Sequence, residues 1–68
     1  MEALRRLRKA NGLRQHEVAE LIGVSPQAIT RYELGQREPN IDTLTKFADL
    51  FDVTLDELVR PEIRKEAG

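Results

Sequence analysis

The sequence predicts an all-α fold, a compact domain of five short helices, and three observations lead there. Apolar residues recur three and four positions apart in successive segments, and no stretch alternates with the period of two that a half-buried strand needs. Gly12, Gly23 and Gly35 stand at the ends of three of those segments, where a left-handed residue lets a helix exit. Ser25, Asn40 and Thr54 stand at the starts of others, each with a side-chain oxygen able to accept from a free amide of the first turn.

Leu4 and Leu7 define a first helix ending near Ala10, with Asn11 and Gly12 supplying the exit and Leu13 beyond it. A second helix runs from about Gln15 to Ile22, with Val18, Ala19 and Ile22 on one face and Gly23 as its stop. Ser25 caps a third, helped by Pro26 at the first helical position, where no amide is needed. Val24, Ile29 and Tyr32 form the apolar back of this segment, Gln27, Thr30 and Arg31 fall on the opposite side, and Gly35 closes it. The polar loop GQREPN leads to Asn40 and a fourth helix, in which Ile41, Leu44, Phe47, Ala48 and Phe51 repeat at helical spacing. Thr54 and Glu57 make a capping box for a short fifth helix expected to bury Leu55, Leu58 and Val59. Pro61 ends the regular part, so residues 1–60 read as one domain and 61–68 as a short tail with one apolar residue, Ile63.

A chain of 68 residues forms one small domain, which buries only about 60% of its unfolded surface, so the core is modest. Without cysteine there is neither a disulfide nor a thiolate metal cluster, and a reducing compartment fits. Charges interrupt the leucines of MEALRRLRKA every two or three residues, which leaves no signal-peptide stretch and no membrane span. The expectation is a soluble, cytoplasmic protein. The formal net charge of −1 hides an uneven distribution: residues 1–37 hold seven Lys/Arg against four Glu, residues 38–68 four against eight acidic residues. A polyanion responds to the local field over the face it meets, so the sum does not exclude one as a ligand.

Two short helices joined at Gly23 cross closely only if the residue at the contact is small, and Ala19 sits where that crossing falls. Val18, Ile22, Val24, Ile29 and Tyr32 close the crossing from both sides. Each alone is ordinary helical packing. Together, at this spacing, they describe a helix-turn-helix, whose second helix is shaped to enter a major groove.

The stretch LRRLRKANGLRQHEVAELIGVSPQAITRYELGQREPNIDTLTKFADLFDVTLDELV, residues 3–59, resembles the five-helix, lambda-repressor-like domain of the phage Cro and repressor family, also called the XRE family. Its most specific pieces are GLRQHEVAELIGVSPQAITRYELG and the later spacing of Pro39, Leu44, Ala48, Phe51, Val53 and Leu58. The resemblance implies a sequence-specific regulator of transcription that binds double-stranded DNA, a repressor acting as a homodimer on a palindrome. It implies that Gln15 meets a phosphate, at the positive end of a helix dipole, and that Ser25, Pro26, Gln27, Ala28, Thr30 and Arg31 face the DNA. Chemically, Gln27 can pair with adenine, Arg31 with guanine or a phosphate, and Thr30 and Ala28 with a thymine methyl. Gln36 and Arg37 match loop positions that contact phosphate. Arg8 and Glu33 match positions that pair with each other and orient the reading helix. Arg5, Arg6, Lys9 and Arg14 remain as free positive charges near the docking face. In three places the chain departs from the family pattern: Arg14 stands where Ser or Thr usually caps the second helix, Pro26 offers no side-chain donor, and Leu34 occupies a usually polar place. For dimerisation the expected residues are Leu58, Val59 and Ile63, apolar near Pro61 with little protein left to cover them.

Catalysis finds little support. The sole histidine, His16, has Glu20 one turn on and no further spaced ligand, so no metal, cofactor or catalytic site is expected. Several of Asp42, Asp49, Asp52, Asp56 and Glu57 fall in first turns of helices, where carboxylates favour the dipole and need no other role. The alternative to DNA binding is a protein-interaction module, an antitoxin or adaptor, with the acidic second half as docking surface for a protein partner. A third reading makes the chain the N-terminal part of a longer regulator.

Overall fold

The computed structural model describes residues 1–60, and the elements follow as α1 (Glu2–Ala10), α2 (Gln15–Ile22), α3 (Pro26–Leu34), α4 (Ile41–Phe51) and α5 (Leu55–Val59). No strand occurs among the described residues. Three starts carry a side-chain cap: Ser25 Oγ accepts from the Ala28 amide at 3.1 Å, Asn40 Oδ1 from Thr43 at 2.9 Å, and Thr54 Oγ1 from Glu57 at 3.0 Å. At Thr54 the box is reciprocal, since the Glu57 carboxylate accepts from the Thr54 amide at 2.9 Å. At α2 only half of it forms. Glu17 accepts from the Arg14 amide at 2.7 Å, but a guanidinium has no acceptor to give in return.

The helix exits share one device. The amides of Leu13, Val24, Gln36 and Val53 reach back to the carbonyls of Arg8, Ala19, Arg31 and Ala48, at 2.9 to 3.1 Å, closing the last turns of α1 to α4. Each closure needs a left-handed residue just before the donor; Gly12, Gly23 and Gly35 supply three, and Asp52, φ 56°, the fourth. Leu13, Val24 and Val53 then turn their side chains onto the core, so three of the four exits also contribute an apolar lid.

The core lies among all five helices. Leu4 of α1, Val18 of α2, Ile29 of α3, Phe47 of α4 and Leu58 of α5 are its largest fully buried side chains. Each such burial contributes roughly 1.5–3 kcal/mol by removing apolar surface from water. Phe47 is central: the Tyr32 ring meets it edge-on at 6.1 Å and the Phe51 ring stacks on it at 6.3 Å, both within the range where ring quadrupoles attract. Ala19 is buried on α2, and its carbonyl accepts from the Gly23 and Val24 amides of the turn into α3.

Three expected core residues lie outside it, while Leu58, expected both in the core and between two copies, lies inside. Ile41 is 68% exposed because it opens α4, and a helical side chain leans toward the N-terminus, here past the end of the packing surface. Leu55 and Val59 are exposed because α5, five residues long, has room to turn only Leu58 fully inward. Leu58 itself is 1% exposed and packs in the core, which removes it from any surface between two copies. Ile63, expected beside it, lies outside the described residues.

Candidate nucleic-acid interface

α2 and α3 are joined by Gly23, Val24 and Ser25, and the left-handed turn at Gly23, φ 87°, sets α3 across α2. Burial of Ala28, Ile29, Tyr32 and Glu33 pins one side of α3 to the body. The opposite side leaves Gln27 and Arg31 exposed, with Thr30 half-buried at its edge. Ser25, Pro26, Gln36, Arg37 and Arg14 are also exposed. Ala28 is not: at 7% exposure it faces the core, and its methyl cannot reach a thymine. A shift of one residue along a helix rotates a side chain by about 100°, so Gln27 and Ala28 point to different sides.

Arg8 of α1 braces this arrangement. Its Nε stands 2.5 Å from Glu33 Oε2, its Nη2 3.1 Å from Glu33 Oε1, and its Nη1 donates to the Leu13 carbonyl at 3.0 Å. The side chains are 12% and 4% exposed, so the pair is shielded from water. Burial alone pushes the Glu33 carboxyl up, but the hydrogen bonds from Arg8 and Gln15 and the nearby Arg8 and Arg5 charges outweigh it and hold Glu33 below its ordinary value. The hydrogen bond to Glu33 raises Arg8 in turn, against its own desolvation.

Gln15 joins the same group. Its Nε2 donates to Glu33 Oε1 at 3.0 Å, and its Oε1 accepts from the Thr30 hydroxyl at 2.9 Å. A carboxylate only accepts, so the orientation of this amide is dictated rather than chosen. The residue types gave no direct sign of this link beyond the placement of Thr30 and Glu33 three apart on α3, which puts them on neighbouring turns of one face. Also unanticipated is the Met1 amino group, which donates to the Tyr32 and Glu33 carbonyls and so satisfies the last turn of α3.

Among the described residues, Arg6, Lys9, Arg14 and Arg31 are exposed, and Arg5 makes a loose surface pair with Glu2 at 3.7 Å. Such a pair is weak in water and leaves Arg5 free to exchange partners. Arg37 stands over the Tyr32 ring, 5.8 Å from its centre, in the wall of a cleft of about 290 Å³ shared with Met1, Pro39, Leu44 and Val59. Ser25 Oγ is an acceptor within the fold, so its hydroxyl proton remains available to an outside oxygen. Among the described residues, no three His, Cys, Asp or Glu side chains gather as a metal site would require, and no helix is long and apolar enough to cross a membrane.

The chain is 41% identical over 61 residues to an uncharacterised HTH-type transcriptional regulator, YqaE of Bacillus subtilis, covering 90% of this chain and 53% of that protein. It is 36% identical over 68 residues to the HTH-type transcriptional regulator AnsR of the same organism, covering 59% of it. It is 37% identical over 57 residues to the cryptic phage CTXphi transcriptional repressor RstR of Vibrio cholerae, covering 84% of this chain and 51% of that one. The chain thus spans about half the length of these relatives. Among solved structures, a transcriptional regulator from Listeria innocua superposes with a TM-score of 0.81 at 40% identity, over 85% of this chain and 54% of that one. The family model described as helix-turn-helix matches residues 4–58, from Leu4 in α1 to Leu58 in α5. A match that takes in every helix of the fold, together with the braced α2 and α3 crossing, makes this chain a member of the XRE-type helix-turn-helix family.

Proposed function

We propose that this chain is the double-stranded DNA-binding unit of a transcription regulator, a repressor that places α3 in the major groove and binds a palindromic operator as a homodimer. The observation that carries the reading is the two-sidedness of α3: Ile29, Tyr32 and Glu33 lock it to the body while Gln27 and Arg31 stand free. Glutamine and arginine both offer paired hydrogen bonds to base edges, Gln27 to adenine and Arg31 to guanine. Arg14, Ser25, Gln36 and Arg37 flank that face as phosphate partners. Pro26 sets the first turn and leaves its base silent. The chain works by binding, not catalysis, and its place of action is the cytoplasm, where the DNA of a bacterial or phage regulator lies.

Repression is the favoured direction because RstR is named a repressor. Dimer contact falls on the Val59 side of the molecule, where Val59 is half-exposed and lines the cleft with Leu44 and Pro39. Two reading helices related by a two-fold axis enter successive major grooves, so half-sites lie about 34 Å apart, one helical turn.

Selection of bound duplexes from a random pool tests all of this at once. The expected product is a two-fold symmetric site with half-sites one turn apart. Recovery of no enriched sequence overturns the reading and favours the protein-interaction alternative; enrichment of a single unpaired half-site overturns the dimer.

A further inference from the structure

Thr30 lies on the exposed edge of α3, and its hydroxyl has two neighbours: Gln15 Oε1 at 2.9 Å and the Pro26 carbonyl at 3.3 Å. A hydroxyl has one proton, and the shorter contact is across the interface to α2. The polarity of that contact is forced from its far end. Glu33, gripped by Arg8, can only accept, so Gln15 turns its NH₂ toward it and its carbonyl toward Thr30, and Thr30 donates. One continuous chain of hydrogen bonds therefore runs from Thr30 on the reading helix, through Gln15 on α2, to Glu33 on the reading helix again and Arg8 on α1.

Two consequences follow from the occupancy of these groups. Gln15 has given one N–H to Glu33 and one acceptor site of its carbonyl to Thr30, so its one remaining donor is a single Nε2–H. That donor suits an oxygen of a phosphodiester. Thr30 has its hydroxyl proton occupied within the fold, which leaves no donor for an outside partner; its methyl group remains for an apolar contact. Thr30 and Glu33, three residues apart, hold the two ends of one amide from the same helix, so the amide moves with α3 as a unit.

We propose that Thr30 is a positioning residue for phosphate: its hydroxyl fixes the Gln15 amide with its free N–H outward, tying the register of the base-reading helix to the backbone contact at α2. This rests on the DNA-binding reading above. The hydroxyl and the methyl of Thr30 then have separable duties, the first blind to sequence and the second a contact with a base.

The test uses the full chain with Thr30→Val, which keeps the branched shape and loses the hydroxyl, and Thr30→Ser, which does the reverse. The probes are the best duplex from the selection, its single-base variants and a random-sequence duplex. Thr30→Val is expected to weaken binding to all of them alike, roughly three- to tenfold, the range of one neutral hydrogen bond. The slope of log K against log salt should stay unchanged, because no charge has been removed. Thr30→Ser, which keeps the hydroxyl, should retain more of the random-duplex affinity than Thr30→Val does. In a Gln15→Ala background Thr30→Val should cause no further loss, since its effect passes through Gln15. Additive losses, or a loss confined to one base pair, overturn the proposal. In the free protein, the Gln15 side-chain amide resonances should move in Thr30→Val and hold in Thr30→Ser, a readout that needs no DNA. If no duplex binds the parent, the phosphate role falls with the DNA reading, while unmoved resonances would show instead that the Thr30 contact to Gln15 is itself wrong.

Discussion

Arg8 holds Glu33 through two nitrogens, Nε to Oε2 at 2.5 Å and Nη2 to Oε1 at 3.1 Å, across 25 residues of sequence. Two parallel bonds fix both distance and plane, so α3 is set against α1 in angle as well as position. Its shielding from water means that the pair is strong only while both partners are present and charged.

Stability should therefore fall in acid through Glu33. Its carboxyl is held below the ordinary value in the folded chain. A lowered folded pKa contributes stability that is complete above the unfolded value, about 4.3 for Glu, and is lost as pH falls from there through the folded pKa. Urea melts of the parent and of Glu33→Gln at neutral pH and at stepwise lower pH check this. The parent should lose more than the variant below about pH 4.3; parallel profiles would mean that Glu33 does not titrate where its surroundings require.

Removing one partner of the pair should hurt more than removing both. Arg8→Met leaves a buried carboxylate uncompensated, a loss of about 3–5 kcal/mol, and Glu33→Leu leaves a buried guanidinium in the same position. The double variant should lose clearly less than the two losses added. A double-mutant cycle by denaturant melting measures the difference, and simple additivity would contradict the coupling that the geometry implies.

Gln27 and Arg37 should separate base reading from backbone contact. Gln27→Ala should reduce affinity by about 1–3 kcal/mol and relax preference at one base pair per half-site, whereas Arg37→Ala should weaken every sequence equally and lower the salt slope by about 1. Titration of both variants against single-base operator changes at several salt concentrations is decisive. A sequence-blind loss for Gln27 removes it from the reading face.

Leu58 and Val59 are neighbours with opposite surroundings, 1% and 51% exposed. Leu58→Ala should lower unfolding stability by about 2–5 kcal/mol through the cavity it leaves in the core. Val59→Asp should leave the monomer's stability within about 0.5 kcal/mol, as surface changes do, and weaken association of two copies or cooperative filling of two half-sites. Melting combined with sedimentation separates these outcomes; loss of folding in Val59→Asp with no change in association reverses the assignment.

The helices and their ends follow from the residues alone. Ser25, Asn40 and Thr54 carry their oxygens in any context, Gly23 tolerates a left-handed turn in any context, and apolar spacing marks a helix face before anything packs on it. Even the pairing of Arg8 with Glu33 was legible, through the family pattern. Which side of each face meets another helix depends on the packed fold. Ile41 and Leu58 have equal claims to a core by spacing, yet one opens a helix beyond the packing surface and the other points into it. Ala28 and Gln27 are adjacent, and only the packing of α3 on the body sends the first inward and the second out. The link from Thr30 through Gln15 to Glu33 joins residues 15 and 18 positions apart. Such a link depends on where α2 stops and at what angle α3 returns, and a local pattern contains neither.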